Sequence, residues 1–266
     1  MRGVLVLAAA LLCLSGCATA PVEETKAFAA AVNAVKSSSD LLWDELNIAE
    51  RNRYRRQVAR TQGGAFRFQV GDAYYFSSIA EAPDTTDFRR AMTIIHDYSE
   101  LLRMLVEGTN VEAARGQIET LIGKLATLAG SPAIGAAAGE LSGLLDELLR
   151  VISLEEAKRL VVTGEPAIHQ LVAALRAATP AIFKTLRDEI LATGGGVGKK
   201  VDAERVVVAN FVVMLDRLDQ TFAQLVRAFE HPTNPVTLAA LVAFSTQLEA
   251  DVKSVRQAYV AFRNAT

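Results

Sequence analysis

The chain has few of the residues that usually announce chemistry. Its 266 residues include two cysteines, three histidines and one tryptophan. Both cysteines lie within the first seventeen residues, so no disulfide can staple the rest of the chain. The histidines are His96, His169 and His231. None has a glutamate three residues before it, which excludes the paired Glu-x-x-His of a bundle di-iron site. His-Glu-x-x-His and Gly-x-Ser-x-Gly are absent, and no serine stands three residues before a lysine. No local metal site or catalytic residue is therefore expected, and no cofactor. A basic excess is missing as well: 28 basic against 30 acidic residues leave a net charge of −2, which excludes bulk nucleic-acid binding. Hydrophobic residues at 51% against 22% charged exclude a disordered chain. No fixed-period repeat and no further linker rich in Pro, Ser or Gly divides the sequence, so one domain is expected rather than two.

The beginning of the chain carries an address. Arg2 supplies a positive start, and Val4 to Leu12 is an apolar run too short to span a bilayer but suited to a signal peptide. Leu14-Ser15-Gly16-Cys17 follows. This resembles the lipobox of bacterial lipoproteins. The resemblance covers only the first seventeen residues. It implies a signal peptide over 1–16, cleavage before Cys17, diacylglycerol on the Cys17 thiol and acylation of the new amino terminus. Two or more acyl chains give stable membrane attachment. Residue 18 is Ala rather than Asp. In the sorting pattern this resembles, that points to the periplasmic side of the outer membrane rather than the inner membrane. Residues 17–23 form a short lipidated tether and 24–266 the folded domain. From Ala18 to Glu23 the tether reaches ~20 Å at ~3.5 Å per residue.

Beyond the tether, apolar residues recur at steps of three and four, which places them on one helical face. Phe28, Val32, Val35, Ser39, Leu42, Leu46 and Ala49 form the first such seam. Others run from Phe88 to Leu105, Val111 to Leu128, Ile134 to Ile152, Phe211 to Phe229 and Leu241 to Phe262. The expected fold is all-α, an elongated antiparallel helical bundle of about seven helices with the first and last longest. Thr109-x-x-Glu112 and Ser153-x-x-Glu156 have capping-box spacing, and Pro132 and Pro235 suit first helical positions. A break is expected near Gly164-Glu165-Pro166 and a kink or restart at Pro180. Val206 to Leu215 is apolar nearly all round, which places the 200–230 helix at the centre of the bundle. Gly135, Gly139 and Gly143 at fourfold spacing suggest close helix packing. Gly196 to Lys200 resembles part of a phosphate loop, but it lacks the first glycine and the final Ser/Thr and reads as a hinge.

Two segments stand apart. The first seam continues beyond Ala49 in the same steps as Arg53, Arg56 and Arg60, with Arg51 and Arg55 at its side and no acid from Arg51 to Gly71. Three readings stand: a solvated overhang, pairing with acids of another helix such as Glu156 or Asp188, or contact with an anionic partner. Arginine's planar fork suits carboxylate and phosphate. The other is an irregular aromatic segment at 63–84, where Phe66, Phe68, Tyr74, Tyr75 and Phe76 crowd within eleven residues. It reads as a short β-hairpin or an aromatic loop capping the bundle, or as an aromatic contact for a ligand or partner. His96 with Glu100, and Glu165 with His169, lie one turn apart and read as surface hydrogen bonds.

The expected function is that of a lipid-anchored, non-enzymatic interaction or scaffold module with a protein partner in the cell envelope. One alternative is a binding module for a lipid or other apolar or anionic ligand, held between helices near the aromatic segment. The other is an enzyme with a site assembled from distant residues.

Overall fold

The apolar seams become buried faces. A computed structural model describes residues 21–61, 68–108, 110–128, 132–194 and 197–265. Among these the chain forms eight α-helices and no strand: α1 (Val22–Thr61), α2 (Ala73–Phe76), α3 (Pro83–Val106), α4 (Val111–Ala126), α5 (Pro132–Leu148), α6 (Leu154–Thr193), α7 (Val197–Glu230) and α8 (Pro235–Asn264). The bundle is all-α, as its periodicity requires. The additional helix is the single turn α2. The longest helices are α1 and α6 at 40 residues each, whereas the last has 30.

Successive long helices run antiparallel. Glu50 meets Thr85 and Lys26 meets Glu107 along α1 and α3. His169 meets Asp219 and Arg176 meets Asp216 along α6 and α7, and Asn210 meets Ser254 between α7 and α8. That alternation leaves α1 and α6 parallel, since Arg53 reaches Thr185 while Arg56 reaches Glu189. The helices α4 and α5 form a hairpin against α3 and α6.

The first helix, not the 200–230 helix, is the hub. It packs against α3, α6, α7 and α8, whereas α7 packs chiefly against α6 and α8 and more lightly against α1 and α3. The apolar run in α7 is accordingly not buried all round: Val206 and Val213 are about half exposed. On α1 the whole seam from Phe28 to Ala49 is buried. Trp43 sits at its middle, 5.6 Å from the Phe88 ring and edge-on to Phe211 at 5.3 Å. Phe222 lies 5.9 Å from Phe28 and 6.0 Å from Tyr98, tying α7 to α1 and α3.

No break occurs near Gly164 or Pro180. The helix α6 runs unbroken with Pro166 and Pro180 inside it. A proline strands the carbonyl four residues back. For Pro180 that is Arg176, and the Thr179 hydroxyl donates to it at 2.7 Å. Gly164 serves packing rather than termination: a Cβ there would lie 2.5 Å from the Tyr98 hydroxyl, which donates to the Leu160 carbonyl at 2.8 Å. Burial of Leu160, Val161, Ile168, Leu171, Val172 and Leu175 keeps the helix continuous through both prolines.

The caps agree in part. Ser153 accepts from the Glu156 amide, and Asn234 caps α8 before Pro235. The cap of α4 is Asn110, which accepts from the Glu112 amide. Thr109 and Ser131 lie outside the described residues. Gly108 and Gly194 end α3 and α6 at φ of 65° and 70°, a backbone that disfavours a Cβ. Gly139 and Gly143 do not mediate close packing. Nothing stands within 4 Å of a Cβ built on either. No helix among the described residues is long and apolar enough to cross a membrane.

Candidate functional site

The last three turns of α1 bring both unusual sequence features together. Arginines at 51, 53, 55, 56 and 60 wrap around the helix, so they divide between two sides. Arg53, Arg56 and Arg60 face α6. With Gln57, Thr61, Asp188, Leu191 and Ala192 they line an open cleft of about 610 Å³. Arg51 and Arg55 face the aromatic segment.

On the α6 side only Arg56 finds a carboxylate. It binds Glu189 at 2.6 Å, and the same carboxylate accepts from Asn52. Pairing therefore holds for one arginine, and its acid is Glu189 rather than the expected Asp188 or Glu156. Glu156 pairs with Arg159. Arg53 donates to the Thr185 hydroxyl at 3.0 Å, and Arg60 is exposed with no hydrogen-bond or ion-pair partner among the described residues. On the other side, Arg51 and Arg55 both donate to the Tyr75 carbonyl, at 3.1 and 3.2 Å. Arg51, Arg53, Arg55 and Arg60 thus lack a carboxylate partner among the described residues. Neutral acceptors orient a guanidinium without cancelling its charge.

Among the described residues the aromatic segment forms no β-hairpin. Residues 70–72 form a 3-10 turn, followed by the single turn α2. Both lie along the side of α1. The Tyr54 and Tyr75 rings stack at 3.8 Å, and the Tyr54 hydroxyl donates to Asp72 at 2.5 Å. Asp72 also accepts from the Gln69 amide, and these two bonds hold its carboxyl below its ordinary range. Arg55 lies over the Phe76 ring at 5.1 Å. Gln69 and Ser78 are exposed, but most of the outward side chains are apolar. Phe68, Val70, Tyr74 and Ile79 are 63%, 86%, 54% and 96% exposed. Phe66 and Cys17 lie outside the described residues.

One space between helices lies near this segment. It measures about 220 Å³ and is lined by Leu46, Glu50, Arg53, Asp84, Phe88, Ala181, Ile182, Lys184 and Thr185.

Of the buried carboxyls that escaped the sequence reading, two lie on α1 and α7. Glu50 accepts from the Asp84 and Thr85 amides and the Thr85 hydroxyl, so a residue of α1 caps the start of α3. Burial pushes its pKa up. Glu204 on α7 is 2% exposed and neither oxygen has a hydrogen-bond partner. It lines a gap of about 10 Å³ with Leu42, Leu186, Val207 and Phe262, and burial raises its pKa to about 8 against the pull of Arg187 and Arg205. Only the alternation of charge with apolar residues hinted at either, because the partners sit on distant helices.

Two of the three histidines pair with aspartates rather than the expected glutamates. His96 meets Asp97 at 3.1 Å and His169 meets Asp219 at 2.9 Å. No group of three or more His, Cys, Asp or Glu is placed to hold a metal among the described residues. No protein-family model, no curated protein and no solved structure matches the chain.

Proposed function

We propose that the chain is a lipid-anchored lipoprotein of the bacterial envelope, held through Cys17, that acts as a non-enzymatic interaction module. Its contact surface is the arginine end of α1. The observation that carries this reading is the row of guanidiniums without carboxylate partners beside an open cleft, at the end of α1 remote from Cys17. At 1.5 Å per residue the row begins ~45 Å from the start of the helix. A lipid anchor at one end and an uncompensated charge at the other suit a protein that reaches for an acidic partner. Electrostatic complementarity of this kind sets specificity and association rate.

Affinity capture from envelope extracts tests the docking surface. A discrete protein recovered with the wild type and lost with the double variant Arg53→Glu, Arg60→Glu is the expected result. Recovery of the same proteins with both would overturn it. Anchoring has its own test: Cys17→Ser should release the protein from the membrane or strand its precursor, and unchanged attachment would refute the lipidation.

A second reading is favoured by the size of the cleft. At about 610 Å³ it falls in the range of small-molecule sites. A small anionic ligand bearing carboxylate or phosphate would then replace the protein partner. Equilibrium dialysis of the purified chain against inorganic phosphate and a dicarboxylate separates the two.

A further inference from the structure

The segment 68–79 has its polarity reversed. In a surface loop the charged groups normally face water and the apolar groups face the protein. Here the charged group turns inward: Asp72 is 2% exposed, bound by Tyr54 and by the Gln69 amide. The Tyr75 carbonyl also points inward, to Arg51 and Arg55. Val70 and Ile79, among the most water-averse side chains, stand almost fully in solvent, with Phe68 and Tyr74 beside them. The arrangement is held in place by the Tyr54–Tyr75 stack at 3.8 Å. It is a braced, outward-facing apolar knob with a cationic rim.

We infer that this knob inserts into the interfacial region of a lipid bilayer carrying anionic headgroups. Three observations favour a bilayer over a protein groove. The apolar side chains of Val70 and Ile79 stand almost fully clear of the protein, free to enter a fluid surface. The rim is formed by Arg51 and Arg55, whose charge no carboxylate neutralises among the described residues. Guanidiniums beside inserted aliphatic and aromatic groups fit lipid phosphates above acyl chains. Tyr74, with an apolar ring and a polar tip, is suited to the headgroup boundary. The inference does not depend on the docking surface, since the cleft lined by Arg53 and Arg56 opens on the α6 side of α1.

The test places a reporter on the knob itself. Ile79→Trp in the full chain adds an exposed indole to the constant signal of buried Trp43. Vesicles of phosphatidylethanolamine with phosphatidylglycerol should shift its emission to the blue, and brominated acyl chains should quench it. Pure phosphatidylcholine vesicles should do neither. In the same background Val70→Asp should abolish the shift, and Arg55→Gln should weaken vesicle affinity by about fivefold, the worth of one arginine at an anionic surface. The amino-terminal segment is the same in every variant, so these differences belong to the knob. Circular dichroism checks that each variant keeps its helices. An unshifted spectrum with both vesicles would overturn the inference. So would an equal shift with both, or a shift produced only by an envelope protein extract.

Discussion

Two stretches of α1, three turns apart, are built on opposite principles. Around Trp43 the helix is enclosed by Phe88, Phe211 and the buried seam, and packing decides everything. Around Arg55 the same three-and-four spacing places guanidiniums against carbonyls and hydroxyls, and an apolar knob faces water. The middle of the helix holds the bundle together, which leaves its end free to carry charge and exposed rings that contribute little to folding. Substitutions in the two stretches should therefore differ in cost by several fold.

The largest loss is expected at the middle. Trp43→Ala removes a fully buried ring that bridges three helices and should cost about 3–5 kcal/mol in urea denaturation. The next effect depends on pH. Glu204 holds its proton more tightly in the folded protein than in the unfolded chain, where its carboxyl has an ordinary pKa near the 4.5 of a free glutamate. Its contribution is therefore complete below that value and is lost as pH climbs towards about 8. Glu204→Gln removes the titration. The gap in stability between wild type and variant should widen in the variant's favour by on the order of 2–4 kcal/mol from acid to mildly alkaline solution. A gap independent of pH would show that the carboxyl is solvated after all.

Glu50→Ala strands the amides of Asp84 and Thr85 and should cost about 1–3 kcal/mol, with faster hydrogen exchange at the start of α3. Arg56→Ala breaks the only carboxylate pair of the row, a part-exposed one, and should cost about 1 kcal/mol or less. Arg60→Ala and Ile79→Ser, at the tip, should move stability by no more than about 0.5 kcal/mol. A loss at Arg60 as large as at Glu50 would erase the distinction between the two stretches.

The helices were legible because burial imposes its period on sequence. The seam of α1 and that of α7 from Phe211 to Phe229 are buried throughout. What could not be read depends on neighbours. The register of α1 against α6 chose Glu189 over Asp188, one residue apart on the same helix. Pro166 and Pro180 promised breaks, yet a threonine hydroxyl and two buried faces keep α6 continuous. The all-round apolar run of α7 suggested the centre, but apolar residues tolerate exposure, and Val206 and Val213 use that tolerance. The arginine row was visible as spacing. That most of its members rest on neutral acceptors was not, because Tyr75 and Thr185 come from segments whose placement only the fold determines.

The central claim is that α1 ends in a surface made for contact. Photo-crosslinking in intact cells tests it most directly, with the reactive side chain at position 60 and, as a control, at the exposed position 236 at the start of α8. A discrete adduct from position 60, absent from position 236, is the predicted result. No adduct from position 60, or the same products from both positions, would contradict it.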